Sequence, residues 1–242
     1  MNEYKTAMNT YTPGSSVPST TSRRTMASIV ILAIIVLVAG QIPVLGMLFY
    51  PFQLFGTFVH ELSHGLVAML TGGSFQRFAV NPDLSGTAWS AGGMRWLIAS
   101  AGYIGSAVFG GLLVLLHTRG ISARRLLLGL GIVLGLLCLL FVRNLFGIAS
   151  GLAIAALLFL AGRRLPEQWA HLALLFLGVQ LMLDGLNSLI GLIHMSAAGQ
   201  ALTDAGNMQR ATGIPALVWS IVWMLISILI LGYTLRLAAR NP

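Results

Sequence analysis

Residues 57–70 read TFVHELSHGLVAML and place two histidines and a glutamate inside an otherwise apolar run. On a helix, residues four positions apart lie on one face, so His60 and His64 can direct imidazole nitrogens at one ion, with Glu61 beside them. Two neutral imidazoles suit zinc, and a neighbouring glutamate can accept a proton from a water that the metal activates. The pattern therefore predicts a zinc site that hydrolyses peptide bonds, with His60 and His64 as ligands and Glu61 as general base.

The composition around this segment is typical of a membrane protein. Of the 242 residues, 57% are hydrophobic and 8% are charged, and the mean hydropathy is +0.87. The net charge of +8 comes almost wholly from arginines in the links between apolar runs, where they flank spans rather than form a nucleic-acid patch. We therefore expect a multi-pass integral membrane protein in contact with lipid, in the plasma membrane if the source is bacterial, and no nucleic-acid partner.

The apolar runs predict an all-α polytopic fold with about seven (six to seven) transmembrane helices. The predicted spans are residues 26–43, 48–70, 96–117, 125–142, 145–162, 170–194 and 214–236. Pro43 and Pro51 are expected to bracket the link between the first two spans. Arg143 and Asn144 are expected to separate the fourth span from the fifth.

One membrane domain accounts for nearly the whole chain. Residues 1–25 are rich in Thr, Ser and Pro and predict a disordered polar tail. Residues 26–242 then form a single transmembrane metalloprotease domain. Within it, residues 72–94 have glycine pairs near both ends and β-prone runs around NPDLSG, which predicts a membrane-associated β-hairpin after the HELSH helix.

A catalytic zinc needs a third protein ligand, which HELSH does not supply. Asp184 lies near the middle of a predicted span, where an unpaired carboxylate is costly, and it belongs to a polar stripe that should face the bundle interior. The stripe consists of Gln180, Asp184, Asn187, Gly191 and His194. Asp204 is the rival ligand, although it also fits the N-cap of a helix. We predict Asp184 as the ligand, with Asp204 as the alternative.

These residues resemble the site-2 protease family of intramembrane zinc metallopeptidases. HELSHGLVAMLTGG is similar to the family's metal-binding helix, and LDG at residues 183–185 resembles the motif that supplies the third ligand. By that resemblance His60, His64 and Asp184 are zinc ligands and Glu61 is the general base. NPDLSGTAWSAGG and ASAGYIGSAVFGG are similar to a compact branch of the family that lacks a PDZ domain.

The resemblance implies an enzyme whose partners are transmembrane or membrane-anchored protein substrates; it predicts no oligomeric state. A substrate helix must unwind before cleavage, because its amides are hydrogen-bonded internally. One hypothesis is that the strand at residues 75–80 pairs with the unwound segment; the alternative is a hairpin that only fills the bundle. We expect an amide side chain to stabilise the oxyanion. The predicted substrate contacts are Phe75, Gln76, Arg77, Phe78 and, for the oxyanion, Asn187.

Two other functions remain open at this stage. One is a catalytically inactive family member that acts as a membrane binding protein. The other is a transporter or proton relay that uses the intramembrane His, Glu and Asp residues.

Overall fold

Long apolar runs form the helices of this protein, and the glycine-bounded link forms its hairpin. The computed structural model describes residues 27–35, 43–184, 186 and 203–240. In chain order the elements are α1 (residues 27–35), α2 (Pro43–Leu70), β1 (Ser74–Val80), β2 (Gly86–Ala91), α3 (Arg95–Thr118), α4 (Ala123–Phe141), α5 (Leu145–Arg164), α6 (Glu167–Met182), α7 (Asp204–Thr212) and α8 (Ala216–Arg240).

Four of the described helices, α3, α4, α5 and α8, are long and apolar enough to cross a membrane. The predicted helical membrane class and the hairpin are confirmed, whereas the number of seven spans is not. Parts of the predicted spans 26–43 and 170–194 lie outside the described residues. The predicted break at Arg143 and Asn144 is confirmed, because α4 ends before these two residues and α5 begins after them.

Pro51 lies inside α2, so the prediction that it helps to bracket a link between two spans is wrong. A proline inside a helix removes one backbone hydrogen bond and crowds the preceding turn. Aromatic packing on both sides of Pro51 accompanies the unbroken helix. Phe49 stacks on Phe176 of α6 with ring centroids 5.4 Å apart, and Phe52 meets the same ring edge-on at 4.7 Å. These contacts hold the first half of α2 against α6.

The hairpin is anchored in the largest buried cluster of the described residues, which joins α2, β1, α3, α4, α5 and α6. Phe78 of β1 and Phe58 of α2 are fully buried and meet edge to face, with centroids 5.9 Å apart. β1 and β2 pair antiparallel, with Phe78 opposite Ala88 and Val80 opposite Gly86. The contact of the buried Phe78 ring with Phe58 therefore fixes the position of the hairpin along α2.

The outer edge of β1 is closed by the link between α4 and α5. The Asn144 side chain donates from Nδ2 to the Val80 carbonyl at 2.7 Å and accepts the Val80 N–H at Oδ1 at 3.2 Å. The Arg143 N–H donates to the Phe78 carbonyl at 3.1 Å. The Asn144 side chain and the backbone of this link thus take the place of a third strand. Among the described residues, the opposite edge of the sheet, on β2, pairs with no other strand.

The hairpin turn is built around Asp83, as its turn-forming sequence predicts. Asp83 Oδ1 accepts hydrogen bonds from the Ser85 hydroxyl at 2.6 Å and from the Ser85 N–H at 3.0 Å, and these donors lower the pKa of the carboxyl. Thr57 Oγ1 of α2 donates to the Leu84 carbonyl at 3.1 Å. The turn is therefore tied to α2 one turn before His60.

We expect Asn144→Ala to lower the free energy of unfolding by about 1–3 kcal/mol, because it leaves the N–H and carbonyl of Val80 without partners. Asn144 occupies the N-cap position of α5 but its side chain makes no capping hydrogen bond, so lost capping does not contribute. The measurement is unfolding by SDS in mixed micelles.

Asn81→Ala is the matched control. It removes an exposed hydrogen bond from Asn81 Nδ2 to Ser85 Oγ in the same hairpin, and it should change stability by less than about 0.5 kcal/mol. Equal effects of the two substitutions would contradict a structural role for the Asn144 amide.

Candidate metal centre and active site

Helix α2 brings His60, Glu61 and His64 together inside the bundle. The candidate ligand atoms of the three residues lie within 4.8 Å of one another, so the group could hold a metal ion. Glu61 and His64 are buried, with 5% and 6% of their surfaces exposed, and His60 is partly buried. The helical spacing of HELSH therefore produces the cluster that the sequence predicts.

The His64 ring is oriented by helix α3. His64 Nδ1 lies 2.6 Å from the backbone carbonyl oxygen of Ile98. Because a carbonyl oxygen can only accept a hydrogen bond, Nδ1 carries a proton, and in the neutral ring Nε2 then keeps its lone pair. This tautomer leaves Nε2 available to a metal ion.

Two aspartates from different parts of the chain reach the histidines. Asp184, two residues after the end of α6, places Oδ2 3.1 Å from His60 Nδ1. Asp204, the first residue of α7, places Oδ2 2.9 Å from His60 Nε2 and 3.2 Å from His64 Nε2. Both predicted candidates for the third ligand are thus at the site.

The N-cap of α7 is Thr203 rather than Asp204, the residue that the sequence suggested for this position. Thr203 Oγ1 accepts a hydrogen bond from the Gly206 N–H at 3.0 Å. The capping position is therefore occupied by its neighbour, and the Asp204 carboxylate is free to turn towards α2.

Helix α3 packs closely against His60 through residues to which the sequence pattern gives no role. The Tyr103 ring meets the His60 ring edge to face, with centroids 4.4 Å apart. A Cβ atom on Gly102 would overlap the His60 ring, so this position requires glycine for the close approach. The signal in the sequence is the run of small residues in ASAGYIG, which allows two helices to come together.

A cavity of about 1500 Å³ opens onto the cluster and contains polar groups at the centre of an otherwise apolar bundle. Its lining includes both histidines, Glu61, both aspartates and Gln180. Gln180 belongs to the predicted polar stripe and lies one helical turn before Asp184. The cavity gives water a place beside the cluster.

The hairpin strand that borders the cavity is β2. Most residues of β2 line it, from Gly86 to Ala91 with the exception of Trp89. Gly86 lies directly against Glu61, since a Cβ atom there would overlap the carboxylate. The face of β2 at Gly86 and the candidate general base are therefore in contact.

The substrate contacts predicted on β1 do not line this cavity. Phe75 stacks on Phe141 with centroids 4.7 Å apart, Phe78 is buried in the core, and the Arg77 guanidinium lies 5.0 Å from the Trp89 ring centroid. Gln76 lies at the irregular pairing between β1 and β2 and is exposed. Packing and the Asn144 hydrogen bonds occupy β1, which the sequence pattern could not reveal. Asn187 lies outside the described residues.

One of the comparisons with known proteins identifies a family for the chain. A family model described as Peptidase M50B-like matches residues 26–234, which include HELSH, the hairpin and both aspartates. No curated protein and no solved structure is detectably similar to the chain. The chain therefore belongs to the Peptidase M50B-like family, which confirms the resemblance to the site-2 proteases.

Proposed function

We propose that this protein is an intramembrane zinc metalloprotease that hydrolyses peptide bonds in or near the transmembrane segments of other proteins. The observation that carries the proposal is the convergence of His60, Glu61 and His64 with aspartate carboxylates on a polar cavity among apolar helices. Membership of a peptidase family supports the same activity.

The residues present fit a zinc ion. Two imidazole nitrogens and a carboxylate form the donor set of many catalytic zinc sites, and such sites keep one further position open. His60 and His64 would hold the metal together with one of the two aspartates. A zinc ion held there would polarise the scissile carbonyl and acidify the attacking water.

Glu61 is positioned to move the protons of the reaction. Its carboxylate lies within 4.8 Å of the candidate ligand nitrogens and faces the cavity that supplies water. It would accept a proton from the attacking water and pass it to the leaving amine nitrogen, as general base and then general acid.

The substrate is a membrane protein segment that has lost its helical hydrogen bonds, and β2 offers a strand edge that can replace them. Because Gly86 at the start of β2 lies against Glu61, a segment paired with this edge would pass beside the base. In this proposal β2 takes the role that the sequence predicts for Phe75, Gln76, Arg77 and Phe78. An oxyanion contact from Asn187 stays a prediction.

Substitution of Glu61 by Gln should separate metal binding from catalysis. We expect about one zinc ion per purified chain in both the native protein and Glu61→Gln. Cleavage of a model single-span substrate in proteoliposomes should fall by at least about 100-fold in Glu61→Gln, because the general base is removed. His64→Ala should lose both zinc and cleavage.

Elemental analysis measures the zinc content of each variant, and a gel-based assay measures its cleavage rate. Glu61→Gln that cleaves at the native rate would remove Glu61 from the mechanism. A stable native protein without zinc would instead favour the inactive binding protein or the transporter.

Two glycine substitutions should disturb the site in different ways. Gly86→Ala forces the Glu61 carboxylate to shift, so cleavage should fall by about 100-fold while zinc content stays unchanged. Gly102→Ala pushes on the His60 ring, so both the zinc affinity and the cleavage rate should fall.

The matched control is Gly129→Ala in α4, where a Cβ atom meets nothing within 4 Å. Its zinc affinity and cleavage rate should equal those of the native protein. If Gly86→Ala behaved like this control, the packing of β2 on Glu61 would have no part in catalysis.

A further inference from the structure

The two ring nitrogens of His60 have different surroundings. Nδ1 faces Asp184 Oδ2 at 3.1 Å, and Nε2 faces Asp204 Oδ2 at 2.9 Å. In His64 the same division holds, with Nδ1 at the Ile98 carbonyl and Nε2 3.2 Å from Asp204 Oδ2. Both histidines therefore have an acceptor at Nδ1 and direct Nε2 at one carboxylate oxygen.

The distances from Asp204 Oδ2 match those between neighbouring ligands of a zinc ion. Bonds of 2.0–2.1 Å in a tetrahedral site place neighbouring nitrogen and oxygen ligands about 3.3 Å apart. Asp204 Oδ2 lies 2.9 and 3.2 Å from the two Nε2 atoms, close to this spacing. Asp204 thus offers one oxygen to both Nε2 atoms at distances near those between the ligands of a shared metal ion.

Asp184 has the position of a group that orients a ligand. A histidine that binds zinc commonly donates its other ring N–H to a carboxylate or carbonyl, which fixes the tautomer and the ring plane. Asp184 meets His60 at Nδ1 and, among the described residues, forms no ion pair with His64. Its role at His60 corresponds to that of the Ile98 carbonyl at His64.

The geometry points to Asp204 as the third zinc ligand and to Asp184 as a positioning residue for His60, an assignment that rests on the proposed function. In this assignment Asp204 replaces Asp184, the ligand that the sequence predicts. Thr203 makes this arrangement compatible with helix formation, because its hydroxyl caps α7 and leaves the Asp204 carboxylate available.

The test is the zinc affinity of the full-length protein, measured by competition with a chromophoric chelator, together with the visible spectrum of the cobalt(II)-loaded protein. Asp184→Ala should bind one zinc ion with affinity lowered about 10- to 100-fold, as expected when an orienting partner is removed. Its cobalt spectrum should keep the native pattern. Asp204→Ala should lose more affinity than this and change the spectrum, because a direct ligand is missing.

Conservative variants separate these roles from effects on folding. Asp184→Asn keeps an oxygen acceptor for the Nδ1 proton and should recover most of the affinity that Asp184→Ala loses. Asp204→Asn keeps the shape of the side chain but not its charge and should remain weak. Thr203→Ala should destabilise α7 while the cobalt spectrum keeps its native pattern, which controls for damage to the helix.

The assignment is overturned if Asp204→Ala and Asp204→Asn bind zinc within 10-fold of the native protein while Asp184→Ala binds none. In that outcome the native protein still binds zinc and the proposed function stands. If the native protein itself binds no zinc, the proposed function fails and this assignment fails with it.

Discussion

The structure depends on the pairing of ionisable side chains that an apolar bundle would otherwise exclude. A charged group inside a membrane costs from about 2.5 kcal/mol upward unless it is paired or reaches water. In the described part of the chain, His60, His64, Asp184 and Asp204 contact one another from three separate segments. The HELSH helix, the end of α6 and the start of α7 must therefore meet at one place, and this requirement fixes the centre of the bundle.

The surrounding elements are arranged around that centre. Gly102 allows α3 to approach the His60 ring, and Gly86 allows β2 to approach the Glu61 carboxylate. The hydrogen bond from Thr57 to the Leu84 carbonyl holds the hairpin turn against the same helix. Helix α3 therefore packs on one side of the HELSH helix and a strand packs on the other, with the polar cavity beside them.

Local signals predicted much of this arrangement. The four-residue spacing of His60 and His64 needs only helical geometry, and the break at Arg143 and Asn144 follows from polar residues between apolar runs. The choice between Asp184 and Asp204 could not be made in this way, because it depends on which carboxylate faces Nε2 in three dimensions. The role proposed for β2 could not be predicted either, because it depends on the hydrogen bond between Asn144 and Val80 of β1, 64 residues apart in the sequence. The sequence predicts a break at Pro51 because the low helix propensity of proline takes no account of the contacts that Phe49 and Phe52 make with Phe176.

The Asn144 amide also sets how many chains the hairpin can engage. A two-stranded sheet has two edges, and an open edge on each side would let it pair with two extended segments or with the hairpin of another molecule. With the β1 edge closed by a side chain of its own chain, the sheet can grow in one direction only. Among the described residues, a strand added to this sheet would therefore pair with β2, most of whose residues line the polar cavity.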